Sequence, residues 1–218
     1  MRESRPPKYR THPGIEGEFE PGSGGKVLRN KLSIRTVQEM DQAEYDALED
    51  AQDRYLDVVT DKTVFSAKFI RKMHRDWLGG IYEWAGTYRT VEMSKGGFTW
   101  PPASRVAENM DRFEAAVLEP KTPFQPTNLQ AATEDLAIIH AELLLIHPFR
   151  EGNGRLVRWL ANLMCLQAGM SIPDFGFDVL GSSPVHGRYL QAVNQGYEQN
   201  YRAFADLFRE ALERSDAG

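Results

Sequence analysis

The chain has 218 residues, a formal charge of -5 and a hydrophobic fraction of 41%, enough for one sizeable core and short for two independent ones. That balance is ordinary for a soluble globular protein and argues against a dedicated nucleic-acid binder, whose surface is strongly basic. No apolar run reaches the ~20 residues that span a bilayer, and the N-terminus carries no signal-peptide hydrophobic region, so a cytoplasmic protein without membrane contact is expected.

Charge is unevenly spread along the chain. Residues 1–31 hold seven basic residues (Arg2, Arg5, Lys8, Arg10, Lys26, Arg29, Lys31) against four Glu, which leaves the remainder at about -8. This segment is rich in Pro and Gly and lacks periodicity, and it is expected to be a flexible basic arm preceding a single domain over 32–218. Residues 36–59 place Val37, Met40, Tyr45, Leu48 and Leu56 among many charges, the pattern of an amphipathic surface helix. A second helix is predicted over 66–78, closed by Gly79-Gly80.

Residues 90–100, TVEMSKGGFTW, break the helical pattern. Extended-type residues flank Lys95-Gly96-Gly97, which signals a hairpin, and Pro101-Pro102 ends it. A third helix over 103–118 carries Val106, Met110, Phe113 and Val117 on one face. Asn128 can cap a fourth that runs to Ile146 and is apolar enough to be central, with Leu136, Ile139, Leu143 and Ile146 aligned. Another begins within Gly-Asn-Gly-Arg and runs to about Ala168. Two more follow Pro184 and Gly196, the last over about 197–214. The single cysteine, Cys165, sits in the apolar helical stretch LVRWLANLMCLQ and reads as a packing residue.

Between the fourth and fifth helices lies HPFREGNGR, residues 147–155. The first N–H groups of a helix lack internal partners and carry the positive end of its dipole, so they form an anion site. Gly152 and Gly154 permit close approach of a phosphate. Arg155 and Arg158, three apart on the next helix, can both fork onto phosphate oxygens. Glu151 supplies a hard oxygen of the kind Mg²⁺ takes while sharing its coordination with substrate phosphates and water. His147 can accept a proton from an incoming hydroxyl. Pro148 ends the preceding helix and Phe149 packs inward. Base, metal ligand and anion hole together suit nucleophilic attack on a nucleotide phosphate.

The stretch His147-Pro148-Phe149-Arg150-Glu151-Gly152-Asn153-Gly154-Arg155-Leu156-Val157-Arg158 resembles the full signature of the Fic family, HPFx(D/E)GNGRxxR, at every specified position. The segment 81–97, IYEWAGTYRTVEMSKGG, is similar to the stretch that leads into the family's β-hairpin flap, and the resemblance covers roughly residues 60–200. It implies an all-α helical bundle with a small hairpin flap over the active site. The implied reaction is AMP transfer from ATP to a Ser, Thr or Tyr hydroxyl of a target protein, with release of pyrophosphate. His147 would be the general base, Glu151 would hold Mg²⁺, and Gly152, Asn153 and Gly154 would cradle the phosphates. Arg155 and Arg158 would bind the β- and γ-phosphates, and Lys95, Gly96 and Gly97 in the flap would align the target by strand-like pairing.

Many Fic proteins resemble one another in an inhibitory helix with the pattern (S/T)xxxE(G/N), whose Glu pairs with the motif's second Arg, here Arg158. A literal match at Ser104–Asn109, with Glu108, falls where a core helix is expected. The helix at 36–59 is better placed and offers Glu49 as the inhibitory residue, although Tyr45 replaces the Ser/Thr. A separate antitoxin supplying the Glu is the other open reading, and a homo-oligomer is expected. Two neighbouring chemistries and two rivals of other classes stand beside AMP transfer. Doc-type relatives phosphorylate but depart from the GNGRxxR half that is present here, and other members transfer UMP or phosphocholine. A non-catalytic regulatory binding module has no need of His147. A metal hydrolase using His140 and His147 lacks a matching ligand set. His74 and His186 are expected to be surface or packing residues.

Overall fold

A computed structural model describes residues 15–95, 97–177 and 184–217. Among them are seven α-helices: α1 (Val37–Leu56), α2 (Ala67–Leu78), α3 (Val106–Phe113), α4 (Leu129–Ile146), α5 (Asn153–Gln167), α6 (Pro184–Tyr197) and α7 (Arg202–Asp216). One antiparallel hairpin, β1 (Ser94–Lys95) with β2 (Phe98–Thr99), pairs Ser94 with Thr99 and Lys95 with Phe98. The expected helical bundle with a small hairpin is therefore the observed architecture. None of the described helices is long and apolar enough to cross a membrane.

Helices α1, α2 and α4 start on side chains that cap N–H groups otherwise without partners. Ser66 accepts from Phe69 N at 3.1 Å, and Asn128, the cap expected from sequence, accepts from Ala131 N at 2.9 Å. Thr36 accepts from Glu39 N at 3.3 Å while its hydroxyl donates to the Glu39 carboxylate at 2.6 Å. Helix α4 is the axis of the bundle and touches α3, α5, α6 and α7. Its Leu136, Ile139, Leu143 and Ile146 are all buried, each contributing roughly 1.5–3 kcal/mol through loss of water contact.

Four sequence expectations are corrected by this packing. The apolar face assigned to α1 is only partly the buried one: Met40 is buried as expected, but Val37, Tyr45 and Leu56 are exposed, and Glu44, Ala51 and Tyr55 are buried instead. The 103–118 segment is composite, a 3-10 turn at Ala103–Arg105, then α3, then a π turn over Glu114–Leu118. Gly196 does not separate two helices but lies inside α6, because a Cβ there would meet the Ala141 side chain at 2.8 Å. Glycine lets α6 approach α4, and the break comes after Tyr197. Last, the part of the N-terminal segment that is described, residues 15–31, is packed on the domain. Val27 and Glu16 are buried, Glu20 N donates to Val27 O at 2.8 Å, Arg29 N to Glu18 O at 2.9 Å, and Lys31 N to Ile81 O at 2.8 Å. Its Pro and Gly serve a tight returning turn between two bridged stretches, Phe19 facing Leu28, and not a linker. Residues 1–14 of the expected arm lie outside the described residues. Cys165 is buried and free, and burial pushes its thiol up to about 12, as befits a packing residue.

Candidate active site

The motif starts where α4 stops. His147 closes that helix in the left-handed region (φ 52°, ψ 59°), its N–H still bonded to Leu143 O at 3.0 Å. A non-glycine residue held there costs about 1–2 kcal/mol, so the surroundings must hold it. They do so through Arg89, whose Nε donates to His147 O at 2.7 Å, and through Trp100, whose ring lies 4.1 Å from the imidazole. His147 Nδ1 lies 3.2 Å from Leu144 O. A carbonyl only accepts, so Nδ1 carries the proton of the neutral ring and Nε2 is its basic nitrogen.

Beyond His147 the loop is organised from within. Phe149 N donates to Asn153 Oδ1 at 3.0 Å, and Asn153 Nδ2 donates to Phe149 O at 2.7 Å. Phe149 is fully buried and stacks on His74 at 3.9 Å. His74 accepts from Gly86 N at Nδ1 (2.8 Å), which leaves Nε2 to donate to Glu151 O at 3.1 Å. Of the two readings expected for His74, surface or packing, it takes the second: it is a buried brace under the loop. Gly152 opens α5 at φ +83°, and a Cβ on it would sit 2.8 Å from the Trp77 ring. Gly152→Ala therefore combines a left-handed backbone penalty of about 1–2 kcal/mol with a collision against a packed indole. The expected result is a melting temperature lower by several degrees together with weakened ATP binding. An alanine variant that binds ATP like the parent would show that the loop tolerates a displaced Gly152.

Glu151, partly exposed, lines a cleft of about 350 Å³ together with Lys26, Tyr82, Glu44 and Arg155. Its Oε1 accepts from Gly152 N at 3.0 Å. One carboxylate facing a cleft beside helix-initial N–H groups fits Mg²⁺, which fills its remaining positions with phosphate oxygens and water. Among the described residues there is no cluster of three or more His, Cys, Asp or Glu able to hold a metal alone. Arg155 is committed to a contact that was not anticipated. It pairs with Glu44 of α1 at 2.5 Å, lies over the Trp77 ring at 4.8 Å and sits 3.7 Å from Glu151. Burial opposes its charge, yet Glu44 and Glu151 outweigh this and hold its pKa above the usual value. Glu44 in turn accepts from Tyr82 OH at 2.6 Å, and its main-chain oxygen accepts from Trp77 Nε1 at 2.8 Å.

Arg158 lies beside the rings of Phe177 and Tyr189 at 5.6 and 5.9 Å and shares with Arg155 a second cleft of about 280 Å³. Glu44→Ala would strand Arg155 and the Tyr82 hydroxyl. Since Arg155 is 29% exposed, the expected loss is about 3 kcal/mol, the low end for breaking a buried pair. It is measured by urea unfolding, and a loss below about 1 kcal/mol would class the contact with surface ion pairs.

The helix expected to restrain the motif does reach it, but through a different acid and a different arginine. Glu49, the inhibitory residue expected from sequence, is exposed and accepts from Tyr45 OH of its own helix at 2.6 Å. Glu108, in the literal pattern match, lies on the exposed face of α3 between Arg105 and Arg112. In the flap, Lys95 and Gly97 are exposed at the tip, and Gly96 lies outside the described residues. The hairpin's base is anchored: Phe98 stacks on Tyr197 at 4.3 Å, and Trp100 Nε1 donates to Leu144 O at 3.1 Å. His140 is buried in the bundle against Tyr189 OH at 2.6 Å. The side chain of His186 lies outside the described residues.

Comparisons with known proteins agree with this arrangement. Residues 64–165 match the Fic/DOC family. The chain is 27% identical over 151 residues to a probable protein adenylyltransferase of Sinorhizobium fredii, covering 69% of this chain and 77% of that protein. The fold is similar to the N-terminal Fic domain of an effector protein from Bartonella sp. AR 15-3, with a TM-score of 0.73 at 20% identity over 91% and 92% of the two chains. It is also similar to the BepC protein of Bartonella tribocorum, solved with bound AMPPNP, with a TM-score of 0.71 at 20% identity over 88% and 94%.

Proposed function

From the premise that the chain belongs to the Fic/DOC family, we propose that it transfers AMP from ATP to a Ser, Thr or Tyr hydroxyl of a target protein and releases pyrophosphate. The observation that carries the proposal is the 3.2 Å approach of His147 Nδ1 to Leu144 O. With the ring proton committed to Leu144 O, Nε2 takes the hydroxyl proton as the oxygen attacks the α-phosphorus. The bond from that phosphorus to the bridging oxygen breaks, and the pyrophosphate leaves with the electron pair. Glu151 would hold Mg²⁺, which would supply positive charge to offset that of the polyphosphate. The N–H groups of Asn153 and Gly154 open α5 toward that charge, and Arg158 supplies a cation for the leaving group. Arg155 contributes by fixing α5 against α1 and by holding positive charge beside Glu151. The hairpin aligns the target through main-chain pairing at Lys95 and Gly97.

The name of the Sinorhizobium relative and the ATP analogue bound by the Bartonella protein support a nucleotide as donor. The test uses ATP labelled separately at the α- or the γ-phosphate, with Mg²⁺, with and without cell lysate. Protein-bound label from α alone supports AMP transfer. Label from γ alone would replace it with a kinase.

A further inference from the structure

A helix leaves its last carbonyls without internal partners, and its C-terminal end attracts positive charge. At the end of α4 those carbonyls are met by two side chains that flank the flap. Leu144 O accepts from Trp100 Nε1 at 3.1 Å. Ile146 O and His147 O accept from the Arg89 guanidinium, at 3.5 Å from Nη2 and 2.7 Å from Nε. The same guanidinium donates to Val91 O at 2.9 Å and to Pro101 O at 2.6 Å, the two points where the chain enters and leaves the hairpin. Its own main-chain N–H donates to Pro148 O at 2.8 Å. Arg89 is 2% exposed, and its four side-chain acceptors are all main-chain oxygens.

From these bonds we infer that Arg89 is a positioning residue for AMP transfer: one guanidinium ties both feet of the flap to the main chain of His147, so flap and base are set by a single group. The inference rests on the function proposed above. Only a planar fork with five donors serves acceptors in these directions. A lysine ammonium supplies charge at one point and cannot reach both flap feet and His147 O together. Glu16 secures the arrangement from behind through its carboxylate and its main chain. Glu16 accepts from Thr90 N at 2.9 Å, and its main-chain oxygen accepts from Arg150 Nε at 2.8 Å.

The test is Arg89→Lys in the full chain, with two readouts. In kinetics, kcat for AMP transfer falls roughly tenfold or more, as misplacement of a reacting group does, while KM for ATP stays within about threefold. In NMR of ¹⁵N-labelled histidine, the resonances missing from His147→Ala show a protonated Nδ1 in the parent and tautomer averaging in Arg89→Lys. The NMR readout needs no turnover, so failure of the proposed activity in the parent is distinguishable from failure of the coupling. A variant with parental kcat, or one whose kcat falls only as its folded fraction falls while the His147 signals stay unchanged, overturns the inference. Should Arg89→Lys not fold, the parent decides: a slowly exchanging Arg89 Nε–H with scalar coupling to the His147 carbonyl carbon supports the tie, and rapid exchange overturns it.

Discussion

Alanine at His147 is expected to slow AMP transfer by roughly 10²- to 10⁴-fold, the usual contribution of a positioned general base, with ATP still bound. The separation follows from the geometry. The proposed proton acceptor is a side-chain nitrogen at the end of α4, whereas the groups proposed to bind the triphosphate belong to the start of α5. Alanine can occupy the left-handed position at a cost similar to that of histidine, and Arg89 still finds the carbonyl of residue 147. The loop pairing of Phe149 with Asn153 does not involve the imidazole. Single-turnover transfer from α-labelled ATP gives the rate, and calorimetric titration with a non-hydrolysable ATP analogue gives the affinity. Transfer within about tenfold of the parent would assign the base elsewhere, and loss of nucleotide affinity in step with rate would assign His147 to binding.

A second large effect is expected in acid, from two histidines that do no proton transfer. Burial pushes His74 down to about 4 and His140 down to about 3. Both are therefore neutral in the folded chain at pH values where the unfolded chain, with an ordinary value of 6.5, takes up protons. For a histidine depressed in this way, the stabilisation is fully present above the unfolded value and is lost as pH falls from 6.5 toward the folded value. By pH 5 each costs about 2 kcal/mol relative to pH 7. Glu16 works in the opposite direction, because burial raises its carboxyl and protonation there favours the folded state, so the measured slope is the net of the three. Urea unfolding at pH 7, 6 and 5 should show a steady decline that His140→Gln reduces by at least half. Stability that is flat across that range would mean that neither ring is as dry as its packing makes it.

What the sequence made legible is what is local. The motif is contiguous, so His147, Glu151 and the glycines could be read together, and helix α4 was readable from one cap and one apolar face. Glu44, Arg89, His74 and Glu16 were not, because each acts on residues far away in the chain: Glu44 on Arg155, Arg89 on His147, His74 on Glu151 and Glu16 on Thr90. Charged residues on an acidic helix look alike until the buried stripe is known. Glu44 shares a stripe with Met40, Ala51 and Tyr55, spacings of four and seven that the sequence does contain, while Glu49 stands off it. The segment 15–31 was misread for a related reason. Proline and glycine mark a change of direction, and only tertiary contacts distinguish a tight turn from a tether.

That His147 is the closing residue of α4 has a consequence for how this protein tolerates change in length. The imidazole's bearing is fixed by the phase of a buried helix, so inserting or deleting one residue within Leu129–Ile146 swings it by about 100° around the axis. Arg89 and Trp100 approach from a separate stretch of chain and cannot follow. The surface turns offer room for length variation, whereas α4 must keep its residue count even where its composition drifts.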